Sequence, residues 1–183
     1  MSLSTRVIAA LGAVVVIGAG TVGGSIAYAS GKDAPKDERL ATVVVGRSSV
    51  SSEPLCYNGG KALSKDDVNK CQQNGKAAAD AGKLTSIDAT VGDKIGVGVD
   101  PDTAKKGWFS FTDAGQQGQT PLSSTRKNST FSGLLPAAGL LSTTGDKTTV
   151  TVVEADETNG DIIAAWFFTV KNTEFVAQAA PAQ

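Results

Sequence analysis

The chain has 183 residues, of which 40% are hydrophobic and 19% are charged, a composition typical of one globular domain with a targeting segment. Its 17 Lys and Arg residues and 18 Asp and Glu residues give a net charge of −1 without a basic cluster, which argues against nucleic-acid binding. The chain contains no histidine, so the commonest general base and the commonest transition-metal ligand are both missing.

The first 29 residues are predicted to direct export. Residues 7–29 carry no charge, and within them Val7–Ile17 is an apolar run of signal-peptide length. The small residues of Ala27-Tyr28-Ala29 favour cleavage between Ala29 and Ser30. Left uncleaved, the 23 uncharged residues are long enough to span a bilayer as an anchor. Both alternatives predict a secreted or envelope-anchored protein.

The export segment also contains a glycine pattern that imitates a dinucleotide-binding loop. Gly18, Gly20 and Gly23 have the G-x-G-x-x-G spacing and follow an apolar run. That motif binds a pyrophosphate where it joins a strand to a helix in a parallel α/β sheet. The rest of the chain does not alternate strands and helices, so we expect no dinucleotide and no other cofactor.

Four segments follow from composition. Residues 1–29 form the signal peptide or membrane anchor, and residues 30–39, which are polar and contain a proline, form a linker. Residues 40–171 form the folded domain. Residues 172–183 are rich in small residues and are predicted to be a flexible tail.

The domain is predicted to begin with a strand and a short helix. Leu40–Arg47 is rich in β-branched residues and is expected to be the first strand. Ser64, with Asp67 three residues later, has the pattern of a helix start, and the helix is expected to reach about Gln73. A further helical turn over residues 76–81 is left open.

The remainder of the domain shows the two-residue alternation of β-strands. Leu134–Ser142 is expected to be an apolar loop that covers the core, and Asn159-Gly160 indicates a hairpin turn. The strands are predicted at Leu84–Val91, Lys94–Val99, Trp108–Phe111, Ser124–Phe131, Lys147–Ala155 and Ile162–Val170. The pattern indicates a mainly β fold, an antiparallel immunoglobulin-like sandwich of about seven strands with one helical insertion, preceded by the export helix.

Cys56 and Cys71 are the only cysteines, and in an exported chain they are expected to pair. The bridge closes a loop of 16 residues, worth about 3 kcal/mol on the entropic model. Two free thiols are the alternative, although a zinc site would lack further ligands. Trp108 and Trp166 are expected in the core, with a binding groove as the alternative.

Two acidic clusters are weak candidates for a metal site. Glu154, Asp156, Asn159 and Asp161 offer oxygen ligands within eight residues, as a calcium loop does, but their spacing does not match one. Polar hairpin tips routinely have this composition, and a hairpin tip is the preferred interpretation. The residues around Pro101 are expected to form a turn, with a carboxylate pair, Asp100 and Asp102, as the alternative.

Several short segments carry a resemblance to known proteins. The most specific is Cys56–Lys61, with Cys71 as the second cysteine, and the others are Thr42–Gly46, Val97–Pro101, Gly107-Trp108 and Trp166–Lys171. Over about residues 40–171 the chain resembles a group of small exported proteins of Streptomyces-like, high-GC Gram-positive bacteria. Those relatives are lipoproteins or domains of unknown function, so the resemblance implies export and a disulfide but no activity. This chain lacks the lipobox cysteine of such lipoproteins.

The sequence favours a non-enzymatic, extracytoplasmic binding or structural module of the bacterial cell envelope. No G-x-S-x-G or S-x-x-K motif is present to supply a nucleophile. The expected partner is an envelope protein or glycan that engages loops or the edge strand Ser124–Phe131. An exported protein that binds a small ligand or calcium is the alternative, and an enzyme that uses carboxylates alone is a third possibility. The last two functions require carboxylates to converge in one pocket.

Overall fold

The computed structural model describes residues 39–114, 119–156 and 158–175. The predicted export segment, its cleavage site between Ala29 and Ser30 and the glycines of the G-x-G-x-x-G pattern lie outside the described residues. No helix within the described ranges has both the length and the apolar character needed to cross a membrane.

Ten strands in the described part of the chain form two sheets. They are β1 (Ala41–Val45), β2 (Ser48–Ser52), β3 (Cys56–Tyr57), β4 (Thr85–Ala89), β5 (Lys94–Val99), β6 (Trp108–Thr112), β7 (Thr120–Arg126), β8 (Leu135–Pro136), β9 (Lys147–Ala155) and β10 (Ile162–Asn172). The first sheet has the order β2-β1-β5-β8 and the second has the order β3-β10-β9-β6-β7. The strand β3 pairs with β10 at Ala164 and Ala165, and β4 pairs with β10 further along, at Phe168–Asn172. The pairing of β4 with β10 is the one parallel pairing among these strands. The predicted class, mainly β with antiparallel sheets and few helices, is confirmed.

The core lies between the two sheets. Alternate residues of β1 and β5 are buried from one side, including Val43 and Val97. From the other side, β9 and β10 contribute Val152 and Trp166 to the same apolar cluster. Trp108 is also fully buried there, and its Nε1 donates a hydrogen bond to the Ser129 carbonyl at 2.7 Å. Both tryptophans therefore belong to the core, as expected, which is consistent with a β-sandwich.

The helix α1 (Lys65–Asp80) is longer than the sequence suggested. It begins as predicted: Ser64 Oγ accepts a hydrogen bond from the Asp67 amide at 3.1 Å. The helix then continues through Gly75, where the sequence pattern had indicated an interruption, because Gly75 is buried against the second sheet. A Cβ at this position would lie 2.7 Å from Cε1 of Phe167, so only glycine allows this close approach. Gly82, with φ +64, follows the helix end.

The predicted turn at Asp100–Asp102 is instead the start of a second helix, α2 (Pro101–Lys106). Asp100 accepts hydrogen bonds from the amides of Asp102 and Thr103, at 2.9 and 3.0 Å, and Pro101 fills the first helical position. An aspartate followed by proline is a recognised helix start, so the sequence held this signal. A short helix and a turn begin with the same residue types, so the local sequence does not separate them.

Three boundaries also differ from the prediction. The first strand turns at Gly46 and returns as β2, a strand that the serine-rich sequence did not suggest. The predicted edge strand at 124–131 is β7, which ends at Arg126 because Asn128 takes a left-handed backbone conformation, φ +56. In the predicted loop Leu134–Ser142, only some leucines cover the core: Leu140 and Leu141 are buried, whereas Leu134 is 48% exposed.

The segment predicted to be a tail from residue 172 is held to the sheet at its start. Asn172 is the last residue of β10, and its Oδ1 accepts hydrogen bonds from the amides of Glu174 and Phe175. Thr173 Oγ1 donates to the Ala89 carbonyl at 3.3 Å. These contacts tie residues 172–175 to the end of β4.

Candidate functional site

The outer face of the second sheet, the face turned away from the core, carries three rows of side chains across β10, β9 and β6. Their order follows from the strand register. The apolar row is Ala165, Val153 and Phe109; the aromatic row is Phe167, Thr151 and Phe111; the polar row is Thr169, Thr149 and Asp113. Phe109 and Phe111 stack with ring centroids 6.2 Å apart. All three phenylalanines remain half-buried, which leaves aromatic surface available on this face.

The helix α1 lies over this face and is fixed there at two points. Cys71 on the helix forms a disulfide with Cys56 on β3, and Cys56 pairs with Ala165 on β10. One turn further along, Gly75 rests against the ring of Phe167. The predicted disulfide is therefore present, and its structural role is to hold the helix against the sheet.

Between α1 and the sheet lies a groove of about 650 Å³. Phe109, Phe111, Val153, Ala165 and Phe167 contribute its floor, together with Thr149, Thr151, Asp113 and Gln119. The helix wall consists of Val68, Cys71, Gln72, Gly75, Lys76, Ala79 and Asp80, and Leu63 and Ile162 close one end. A volume of this size lies within the range of small-molecule sites in proteins, and a mainly apolar lining with a few polar groups is characteristic of them.

A cluster of charged and polar side chains lies on the opposite, inner face of the same sheet. Glu154, although fully buried, forms an ion pair with Arg39. Thr103 Oγ1 lies 2.7 Å from Asp100 Oδ2 and 3.3 Å from Glu154 Oε2, so the two carboxylates meet at one hydroxyl. Lys106 Nζ lies 4.0 Å from Glu154 Oε1. We call these five residues the Glu154 cluster.

The Glu154 cluster is compensated from within. Burial alone would lower the pKa of Arg39, but the hydrogen bond and charge of Glu154, with smaller contributions from Tyr57 and Asp100, raise it overall. The Arg39 guanidinium also lies 5.0 Å from the ring centroid of Tyr57. Lys106 donates to the Gly60 carbonyl at 3.2 Å. Two carboxylates thus face two cations, and the cluster connects the loop after β3, the helix α2 and the strand β9.

The metal candidates of the sequence do not come together. Glu154 points into the domain, while Asp156, Asn159 and Asp161 lie in the turn between β9 and β10. There Asp156 accepts a hydrogen bond from the Thr158 amide, and Asn159 and Asp161 bond each other. The hydrogen bond from the Thr158 amide lowers the pKa of Asp156. No three Asp, Glu or Cys side chains in the described ranges are placed to hold a metal ion.

The other predicted candidates are also separated. Asp100 belongs to the Glu154 cluster, whereas Asp102 is exposed and bonds Lys105 at 2.8 Å, which lowers the pKa of the aspartate. The strand β7 does form an edge of the second sheet, with β6 as its one neighbour among the described strands. Sequence reasoning did not find the groove, because its residues come from α1 and three strands that are distant in the chain. The available signal was the continuous apolar run of residues 162–168 in β10, which is apolar at odd as well as even positions.

Comparison of the chain with protein-family models, with curated proteins and with solved structures finds no match.

Proposed function

We propose that the protein is an exported, non-enzymatic binding protein of the bacterial cell envelope, with an immunoglobulin-like sandwich as its scaffold. Its ligand is a small apolar molecule that occupies the groove between α1 and the second sheet. This is the small-ligand alternative of the sequence analysis, now located at apolar residues instead of carboxylates. The resemblance to exported actinobacterial proteins supports only the export, and the Cys56–Cys71 disulfide favours an oxidising compartment.

The observation that carries the proposal is the half-buried aromatic floor. Phe109, Phe111 and Phe167 lie on a face that one helix covers only in part. Exposed aromatic surface in a concave site is stabilised when an apolar ligand displaces water from it. The two carboxylates that do converge, Glu154 and Asp100, are matched by Arg39 and Lys106, and this arrangement supports a structural role for them.

The test uses a neutral apolar fluorophore, N-phenyl-1-naphthylamine, whose emission rises in apolar surroundings. Ala79 lies on the helix wall of the groove, so Ala79→Trp should fill the space that the probe occupies. Ala77 is exposed on the same helix and does not line the groove, which makes Ala77→Trp the matched control. We expect the Ala79 variant to bind at least about tenfold more weakly, or about 1.4 kcal/mol, and the Ala77 variant to bind like the parent.

Circular dichroism of both variants establishes that they are folded before the titration is interpreted. The proposal is rejected if the parent protein gives no saturable signal. It is also rejected if the two tryptophan variants weaken binding equally.

A further inference from the structure

The floor of the groove changes in polarity along one direction. Moving along the strands, the apolar row gives way to the aromatic row and then to the polar row. Successive rows are two residues apart, about 7 Å along a strand, so the three rows span about 14 Å. A ligand that lies along the strands therefore meets hydrocarbon at one end and polar groups at the other.

The helix wall changes in the same direction. Val68 and Cys71 lie at the end of the groove that Leu63 and Ile162 close. Gly75 lies at the aromatic row, against Phe167. Both charged residues of the wall, Lys76 and Asp80, follow it along the helix, although the neutral polar Gln72 precedes it and the apolar Ala79 lies between them. From Val68 to Asp80 the helix rises about 18 Å, which is similar to the length of the floor. Because the polarity of the helix wall and that of the strand floor increase in the same direction, the groove has one apolar end and one polar end.

The polar end contains charges of both signs. Lys76 and Asp80 contribute from the helix, and Asp113 contributes from the end of β6. The Asp113 carboxylate is held in place because its Oδ1 accepts a hydrogen bond from the Thr149 amide at 2.7 Å. One ammonium and two carboxylates are complementary to a head group that carries both an anionic and a cationic part.

From this arrangement we infer that the ligand is a single-chain amphiphile with a zwitterionic head group. Its hydrocarbon chain lies over the apolar and aromatic rows toward Leu63 and Ile162, and its head group lies among Lys76, Asp80 and Asp113. The inference rests on the proposed function, because it names the ligand class of the same groove. It adds an orientation and a head-group preference that an unspecified apolar ligand would not require.

Alkylphosphocholines, used below their micelle-forming concentrations, test whether the groove binds a hydrocarbon chain. Octyl, decyl and dodecyl forms displace the bound fluorophore in competition titrations of the full protein. Each added methylene buried in the groove should tighten binding about fourfold. A flat series, while the fluorophore itself still binds, overturns the amphiphile and leaves the proposed function intact. Failure of the fluorophore to bind overturns both.

Head-group specificity is tested with tridecanoate, whose hydrocarbon chain has the same twelve carbons as that of dodecylphosphocholine but whose head group is only anionic. We expect tridecanoate to bind at least about tenfold more weakly than dodecylphosphocholine. Lys76→Gln and Asp80→Asn should each weaken dodecylphosphocholine about threefold to tenfold, a larger factor than for the neutral fluorophore. Lys70→Gln and Asp66→Asn, on exposed parts of the same helix, are the matched controls.

Equal binding of tridecanoate and dodecylphosphocholine overturns the zwitterionic head group. Sedimentation of the ligand-free protein tests a different occupant, a second copy of the chain. A concentration-dependent dimer that Ala79→Trp abolishes and Ala77→Trp leaves intact would assign the groove to that second copy and overturn the inference.

Discussion

The two faces of β9 and β10 are covered by different kinds of structure, and the difference explains where the groove lies. The inner face, with Val152 and Trp166, packs against the first sheet and is fully buried. The outer face packs against the single helix α1. Five strands side by side span about 19 Å, whereas a helix is about 10–12 Å wide. One helix placed over β10 therefore leaves part of β9 and β6 uncovered, and that part is the aromatic floor.

Polar groups follow the same division. On the inner face the buried Glu154 is enclosed by Arg39, Thr103 and Lys106, so its charge is compensated within the fold. On the outer face Lys76 and Asp113 are exposed at one end of the groove. On the proposed function, the inner cluster contributes to stability and the outer face binds the ligand. Variants of the inner cluster should therefore leave ligand binding by the folded protein unchanged.

The largest expected effect follows from breaking the inner cluster. Arg39→Ala removes the ion-pair partner of a fully buried carboxylate and should lower the free energy of unfolding by about 3–5 kcal/mol. Urea unfolding measures the loss, and Arg47→Ala, at an exposed position, is the control. The folded fraction should still bind the apolar fluorophore with the affinity of the parent. A loss below about 1 kcal/mol would show that Glu154 does not depend on Arg39.

The next effect connects stability with the groove. Cys71→Ser removes the bond that holds α1 to β3 and should cost about 2–4 kcal/mol in unfolding experiments. Because the helix forms one wall of the groove, fluorophore binding should weaken as well. Cys56→Ser must have the same two effects, since it breaks the same bond. Unchanged binding in both variants would mean that the disulfide does not position the wall.

A smaller effect is expected where the helix contacts the floor. Gly75→Ala places a Cβ against the ring of Phe167 and should destabilise the protein by about 1–3 kcal/mol. In a Phe167→Ala background the clash disappears, and the same substitution should instead stabilise the helix by about 1 kcal/mol. Thermal unfolding of the four proteins measures this change of sign. If Gly75→Ala has the same effect in both backgrounds, the close contact is not what requires glycine.

The sequence predicted those elements whose pattern is local. The alternation of Ile95, Val97 and Val99 placed one face of β5 in the core, and Ser64 with Asp67 placed the start of α1. The end of α1 could not be placed in the same way. Gly75 opposes a helix in isolation, and only the ring of Phe167, a residue far away in sequence, explains why glycine is required there.

The candidate site was harder to predict from the sequence than the fold. The sequence drew attention to Asp156 and Asp161 because their oxygens are close together in the chain, yet they only form the tip of a turn. The ion pair of Arg39 with Glu154 joins residues 115 positions apart, and no local spacing reveals it. The groove combines residues from α1, β6, β9 and β10, so it can be recognised only when strand order and register are known.

The smallest effect concerns Asp93, which lies outside both regions and provides a baseline for pH dependence. Hydrogen bonds from the Thr90 amide and hydroxyl lower its pKa below the ordinary value of 3.8. A lowered pKa in the folded state stabilises the protein above the unfolded-state pKa, and this stabilisation is lost as the pH falls through the folded-state pKa. Asp93→Asn should therefore flatten the acid part of the stability profile, measured by urea unfolding from neutral pH downward. An unaltered slope below pH 3.8 would contradict this assignment.

The most direct test of the central claim, that the outer groove is the ligand site, is an NMR titration. Amide and methyl signals of the isotopically labelled protein are followed while N-phenyl-1-naphthylamine is added. The account predicts that the largest shift changes occur at Val68, Ala79, Val153 and Ala165, and that Val43 and Val97 in the core are little affected. Largest changes at Thr103 and Glu154, or around the exposed Phe131 and Leu134, would contradict it.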